Sequence, residues 1–308
     1  MFARQRENAQ DSYLAQGQLV QLTDGGVSSS FTANFFGATG NDLVLQWANT
    51  RLLAWGDGTF GKLGNNSNFS PWVPAPVDSA GVLAGKTIIS VGGGWGHSLA
   101  LCSDGTLAAW GYNYFHELGS DSTIDSSLPV PVDRSGVLAG KTVIAIAVKR
   151  DQNLALCSDG TLVAWGSNLA GQLGNDSTVQ SSGPVAVDQS GVLAGKKVIA
   201  ISAGGIHNLA LCADGTLASW GANDSGQLGN NSSTFSSVPV LVNTGALKPG
   251  ERFAPRSQVA GDAHTLAVVV SPPPPAATTG AATGLSDTGA TLNGSVNPSG
   301  TSTAVSFE

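Results

Sequence analysis

Charge is scarce in this sequence. Asp, Glu, Lys and Arg make up 11% of its 308 residues, against about 25% in ordinary soluble domains. That scarcity excludes helical bundles and coiled coils, whose exposed faces are built from Glu, Lys and Arg. Basic charge is scarcer still, with 14 Lys and Arg against 21 Asp and Glu, a net charge of −7. Nucleic-acid binding by phosphate neutralisation needs a basic face, so no nucleic-acid partner is expected. No run of 18 apolar residues occurs, and no membrane insertion is expected. The opening stretch MFARQRENAQDSYLAQ lacks the apolar core of a signal peptide. What is plentiful is turn chemistry: 41 Gly and 14 Pro, well above the ~12% the two usually reach together.

The turns recur in register. Trp55-Gly56, Trp110-Gly111, Trp165-Gly166 and Trp220-Gly221 follow one another at steps of 55 residues. Cys102, Cys157 and Cys212 keep the same step, as do Asp104-Gly105, Asp159-Gly160 and Asp214-Gly215. So do the GVLAGK strings that begin at Gly81, Gly136 and Gly191. Each Trp-Gly is followed by a Gly-x-Leu-Gly type segment: Gly61–Gly64, His116–Gly119, Gly171–Gly174 and Gly226–Gly229. A fixed period of this length marks a repeat architecture.

One repeat reads as four short strands, which in the third copy are 143–148, 153–157, 161–165 and 184–187. Asp159-Gly160 between two apolar runs predicts a tight hairpin. Leu154 and Leu156 alternate with Ala155 and Cys157, so both faces of that strand are apolar and both must be covered. Large residues on one face and small ones on the other suit sheets stacked closely on their neighbours. The expected fold class is therefore all-β, a β-propeller of four-stranded blades. The equivalent Cys of successive blades lie too far apart to pair, since a disulfide needs Cα atoms about 4.4–6.8 Å apart. Cys102, Cys157 and Cys212 are expected as buried free thiols.

The motifs resemble a known family. Ala203-Gly204-Gly205-Ile206-His207-Asn208-Leu209-Ala210-Leu211, then Asp214-Gly215-Thr216-Leu217, Trp220-Gly221 and Gly226-Gln227-Leu228-Gly229 look like the regulator of chromosome condensation repeat. The resemblance covers roughly residues 37 to 270, with the phrasing of its bacterial branch. It implies seven blades. About five blade equivalents are visible in the sequence, so an incomplete propeller, and a chain that is a fragment, are expected. The expected division is an irregular or degenerate segment at 1–30, the repeats at 31–270, a Pro-rich linker at 271–276, and residues 277–308 as a truncated fibronectin type III-like module. That module amounts to a short β-sandwich fragment, about a third of the ~100 residues a sandwich needs. At the degenerate start, Asp42 takes the His position and Trp47 the Cys position.

Catalytic, cofactor and metal residues are not expected. GVLAGK has three residues between its glycines where a phosphate loop needs four. His97, His207 and His264 share one repeat position with Gln152, and equivalent residues diverge around a propeller axis rather than converging on a metal. They read as structural, as do Trp55, Trp110, Trp165 and Trp220, expected to be buried between blades. The informative positions are those where one copy departs from its siblings. Trp95 stands where the fourth copy has Gly205, and Lys149-Arg150-Asp151 replace a Gly-Gly pair. Tyr112, Tyr114, Phe115 and His116 decorate a turn that carries small residues elsewhere. Aromatics and Arg in turns suit protein-binding anchors.

These readings converge on a non-enzymatic protein-interaction module of a larger bacterial surface or secreted protein. The resemblance also implies two other readings, a guanine nucleotide exchange factor acting on a small GTPase, in which case the compartment is cytoplasmic, and an enzyme inhibitor. The constant 55-residue step, with only 57 from His207 to His264, leaves little room for the inserted wedge that exchange activity uses.

Overall fold

The computed structural model describes residues 50–254 and 257–271, together with the strands Leu19–Asp24, Val27–Asn34, Val44–Trp47, Ala276–Thr279, Thr283–Ser286, Gly289–Thr291 and Gly294–Asn297. Its centre is three successive four-stranded antiparallel sheets. The first comprises Ile88–Gly93, His97–Cys102, Leu107–Gly111 and Ser126–Pro131. The second comprises Val143–Lys149, Gln152–Cys157, Leu162–Gly166 and Ser181–Ala186, and the third Val198–Ala203, His207–Cys212, Leu217–Gly221 and Ser236–Leu241. In each sheet the strands lie side by side in chain order.

The copies on either side carry shorter pairings: Leu53–Ala54 with Ala75–Pro76, Arg252–Phe253 with Val269–Val270, and Val259–Ala260 with Thr265–Leu266. Leu19–Asp24, Val27–Asn34 and Val44–Trp47 form a three-stranded antiparallel sheet. Beyond the repeats, Ala276–Thr279 pairs with Gly294–Asn297 and Thr283–Ser286 with Gly289–Thr291. Asp42, the body of the Pro-rich linker at 272–275 and residues 298–308 lie outside the described residues. Among the described residues no helix is long and apolar enough to cross a membrane.

The alternation read from the sequence is what stacks the sheets. Leu99, Leu101, Leu107 and Ala109 of the first sheet pack against Ala155, Cys157, Val163 and Trp165 of the second. Leu154, Leu156, Leu162 and Ala164 on the far face of the second pack in the same way against Ala210, Cys212, Ala218 and Trp220 of the third. A leucine-rich face thus meets a face of mainly smaller residues and one Trp at each junction, and close packing follows. Cys157 and Cys212 are buried in these junctions and Cys102 in a cluster with Val77 and Leu83 of the first copy, all three as free thiols. Burial pushes each thiol up to about 11.

The other repeated strings are framework too. Leu83, Leu138 and Leu193 of the GVLAGK strings are buried, while the Lys of each string pairs with the Asp of the following Asp-Gly turn: Lys86 with Asp104, Lys141 with Asp159, and Lys196 with Asp214. The lysine that invites a phosphate-loop reading is tied to a turn.

Each buried Trp locks one copy to the one before. The indole Nε1 of Trp110 donates to the Lys62 carbonyl at 2.9 Å, Trp165 to Glu117 at 3.0 Å and Trp220 to Gln172 at 2.9 Å. The indole passes so close to Gly64, Gly119 and Gly174 that an added Cβ would lie 2.7–2.9 Å from Nε1, and these glycines also hold φ of 62–68°. Only Gly fits there. Trp55 departs from the expected burial and is 59% exposed. Its acceptor position, 48 residues earlier, falls at residue 7, outside the described residues.

A candidate protein-binding face

The loop after each Trp-Gly is organised by a buried Asn. Asn168 Oδ1 accepts the Leu173 N–H at 2.9 Å, and Nδ2 donates to the Ser177 and Val179 carbonyls at 3.0 and 2.9 Å. Asn223 and Asn113 make the corresponding bonds to Leu228 and Leu118, both 2.9 Å. The frame of the loop is therefore the same in three copies, and what it displays differs. In the third and fourth copies it carries Ser167, Leu169 and Ala170, and Ala222, Asp224 and Ser225. In the second it carries Tyr112, Tyr114 and Phe115.

Those rings meet others from neighbouring loops. Tyr112 lies 5.8 Å from Trp95, edge-on at 83°, and 4.8 Å from Phe60. Phe60 lies 5.7 Å from Trp95. Tyr114 stacks on Tyr112 at 6.3 Å and meets the edge of Phe115 at 5.0 Å. Five rings from three loops form one cluster, with Trp95 61% and Tyr114 62% exposed. The next sheet completes the site: Trp95 N–H donates to the Arg150 carbonyl at 2.8 Å, and Trp95, Tyr112, Phe115, Arg150 and Asp151 line a cavity of about 300 Å³. Five of the seven residues singled out from the sequence gather here. Lys149 lies aside, 3.8 Å from Asp262. His116 occupies the left-handed position (φ 63°) that Gly171 and Gly226 hold in the sibling loops, and its Nδ1 lies 3.2 Å from the Ser122 carbonyl.

Three members escaped the sequence reading. Phe60 stands in the first copy at the position of Phe115, where comparison with Ala170 and Ser225 could have found it. Asp151 was seen only as part of a departing string; its Oδ1 is buried and meets no donor, and burial raises its carboxyl above the usual range. Glu117 was legible by comparison of copies, because Gln172 and Gln227 hold its position. Those glutamines accept the N–H of Ala170 and Ser225 at 2.9 Å. Glu117 Oε2 accepts the Phe115 N–H at 2.9 Å in the same way, while Oε1 is buried without a partner. Gln172 Nε2 donates to Ser167 Oγ at 3.2 Å, a bond that a carboxylate cannot make. Burial, joined by the Asp151 and Asp125 carboxylates and opposed by the backbone N–H donors, pushes Glu117 up to about 8.

The repeated histidine position belongs to the framework between sheets. His97 Nε2 lies 3.0 Å from Asn153 Oδ1, and His207 Nε2 lies 3.0 Å from Thr265 Oγ1. Gln152, at the same position, donates to the Gly204 carbonyl at 2.9 Å. Burial lowers both His97 and His207 to about 4. His264 differs from them in being exposed.

The Regulator of chromosome condensation (RCC1) repeat matches residues 50–101, 159–211 and 214–268, and a second description of the same repeat matches 88–117 and 198–227. Together they cover more than half of the sequence. The chain belongs to the RCC1 repeat family. It is 33% identical over 193 residues to human E3 ubiquitin-protein ligase HERC2, covering 62% of this chain and 4% of HERC2. It is 30% identical over 195 residues to the ultraviolet-B receptor UVR8 of Arabidopsis thaliana, covering 62% of this chain and 41% of UVR8. The chain therefore spans less than half of either relative.

Two solved structures share the fold. Human WBSCR16 superposes with a TM-score of 0.60 at 22% identity, over 79% of this chain and 69% of that one. Prp20p of Saccharomyces cerevisiae, whose structure is described with its binding to Gsp1p and histones, superposes at 0.61 and 18%, over 74% of this chain and 54% of Prp20p. With its four-stranded antiparallel sheets, the RCC1 chain is an all-β, propeller-type repeat protein.

Proposed function

We propose that this RCC1 chain is a non-enzymatic protein-interaction module whose binding face is the aromatic cluster of Phe60, Trp95, Tyr112, Tyr114 and Phe115. One observation carries the reading: a loop frame shared by three copies bears large rings in only one of them, exposed at Tyr114 and half-buried at Tyr112 and Phe115, and these join rings from two other loops beside a cavity. Rings of this kind supply contact area at small entropic cost, which is why interfaces concentrate them. That Prp20p is described with Gsp1p and histone binding supports a fold suited to protein partners. We place the module in a larger surface or secreted bacterial protein, on the strength of the fibronectin type III-like strings at 284–307.

The test is an affinity comparison. Replacing Tyr112, Tyr114 and Phe115 by the Ala, Asp and Ser of the fourth copy should weaken capture of the partner by at least 2 kcal/mol, the size of a hot-spot loss. Replacing Leu169 by Asp in the third copy serves as control and should leave capture unchanged. Equal loss from both changes, or from neither, rejects the assignment of the face.

A further inference from the structure

The cavity inside the aromatic cluster has a chemistry narrower than protein binding in general. Trp95 and Tyr112 stand nearly perpendicular, 5.8 Å apart, as two walls of a corner. Phe115 gives a third wall, and Asp151 brings a carboxylate to the lining. An aromatic corner offers the negative faces of its rings, which attract a cation within about 6 Å of the ring centroid. Neutral apolar ligands gain nothing from a carboxylate, and a buried polar oxygen without a donor calls for an explanation. Asp151 Oδ1 is such an oxygen, and Glu117 Oε1 is another.

The surrounding cations reach the site as well as other partners: Lys62 Nζ donates to the Trp95 carbonyl at 3.4 Å. Lys62 Nζ lies 2.6 Å from Asp57. Lys149 Nζ and an Arg150 guanidinium nitrogen lie 3.8 and 3.9 Å from Asp262. Arg150 shares the cavity lining and its charge acts on Asp151, Asp262 is shared between Lys149 and Arg150, and no donor is bonded to Asp151 Oδ1. The walls are rings, the lining carries the carboxylate of Asp151 beside the guanidinium of Arg150, and the volume of about 300 Å³ admits an ammonium head with its substituents.

We propose that this cavity is an aromatic cage for an alkylammonium group, occupied by a lysine side chain of the protein partner. The inference rests on the interaction reading above and names what that interaction recognises. The ammonium sits in the corner between Trp95 and Tyr112, with Phe115 closing one side and Asp151 supplying the countercharge. Arg150 opposes it from the same lining.

The experiment titrates small probes into the full chain by calorimetry: Nα-acetyl-lysine methylamide, its trimethylammonium form, the neutral tert-butyl isostere of that form, and choline. The two lysine cations should bind, and the neutral isostere should bind at least fivefold more weakly than the trimethylammonium form. Trp95→Gly, which restores the residue of the fourth copy, and Asp151→Asn should each weaken the cations at least fivefold while both variants still melt cooperatively. Arg150→Gly should tighten them.

Absence of cation binding, or a neutral isostere that binds as well as the cation, overturns the cage, and this comparison needs only the unmodified protein. Choline binding tenfold tighter than either lysine probe would assign the cavity to a free small cation and overturn the lysine source. If the probes fail while the Tyr112, Tyr114 and Phe115 replacement still loses the partner, the cage falls and the interaction face stands. If the probes bind and that replacement leaves capture intact, the interaction face falls instead.

Discussion

The loop at 112–117 and its counterparts at 167–172 and 222–227 share a frame and differ in cargo. All three place a buried Asn, Asn113, Asn168 or Asn223, that holds the loop from inside. All three bury a Leu and end on a Gly over which the next Trp passes or a Val packs. Yet the second copy exchanges Gln for Glu117, Gly for His116, and small residues for three rings. The lesson is that the fold is held by atoms pointing into the loop and the junctions, which leaves outward positions free to vary. Glu117 is the exception, because it changed an inward position.

The largest effect expected on breaking this comparison comes from the shared frame. Trp165→Ala should cost about 3–5 kcal/mol, the range for truncating a core Trp, since its ring is fully buried and hydrogen-bonded to the preceding loop. Trp55→Ala, at an exposed ring, should cost less than about 1 kcal/mol. Chemical denaturation of the two variants measures the contrast, and equal losses would mean that Trp55 is also locked.

Glu117→Gln should come next, and it should stabilise. A carboxyl whose folded value is raised to about 8 from 4.5 holds its proton in the folded state while the unfolded chain has lost it. Stability is then complete below pH 4.5 and falls as pH rises toward 8. Gln removes that loss, so the variant should gain on the order of 2–4 kcal/mol near pH 8 and almost nothing near pH 4. Melting curves across that range decide it. A gain that does not depend on pH would mean that Glu117 does not titrate there.

The histidines act on the acid side with the opposite sign. His97 and His207 are lowered to about 4 from 6.5, so the unfolded chain takes up protons first and stability falls as pH drops from 6.5 toward 4. Maximum stability is expected near pH 6.5, between the histidine limb and the Glu117 limb. His97→Gln, the residue found at position 152, should flatten the acid limb by about half. If that limb is unchanged, carboxylates carry it.

Smallest of all should be Tyr114→Asp, at an exposed ring, within about 0.5 kcal/mol. Tyr112 packs against Phe60 and Trp95, so Tyr112→Ala should cost more, about 1–2 kcal/mol. The same melts settle this pair, and equal costs would mean that Tyr112 is no better packed than Tyr114.

Much of the fold was legible because the repeat prints its constraints four times. The strand expected at 153–157 is Gln152–Cys157, and that at 143–148 is Val143–Lys149. The last strand was expected at 184–187 and runs Ser181–Ala186, because its pairing with the Trp-Gly strand passes through an irregularity between Ala164 and Gly166 that hydrophobic alternation does not mark. The candidate site was half legible. Departures from the repeat singled out Trp95, Tyr112, Phe115 and Arg150, but a departure says nothing about proximity, and Phe60, at the position of Phe115 one copy earlier, was passed over.

Local pattern alone therefore determined the strands, their hairpins and the face each presents, since periodicity and turn chemistry act over a few residues, whereas Trp55 shows that the burial of a Trp-Gly ring needs the preceding copy. Which loops share one end, that Trp95 reaches Tyr112 and Arg150 across sheet boundaries, and that Glu117 and Asp151 are left with unpartnered oxygens were decided by the tertiary structure. Those facts depend on how one sheet is rotated and packed on the next, and that geometry is set by the sum of all junction contacts rather than by any single segment.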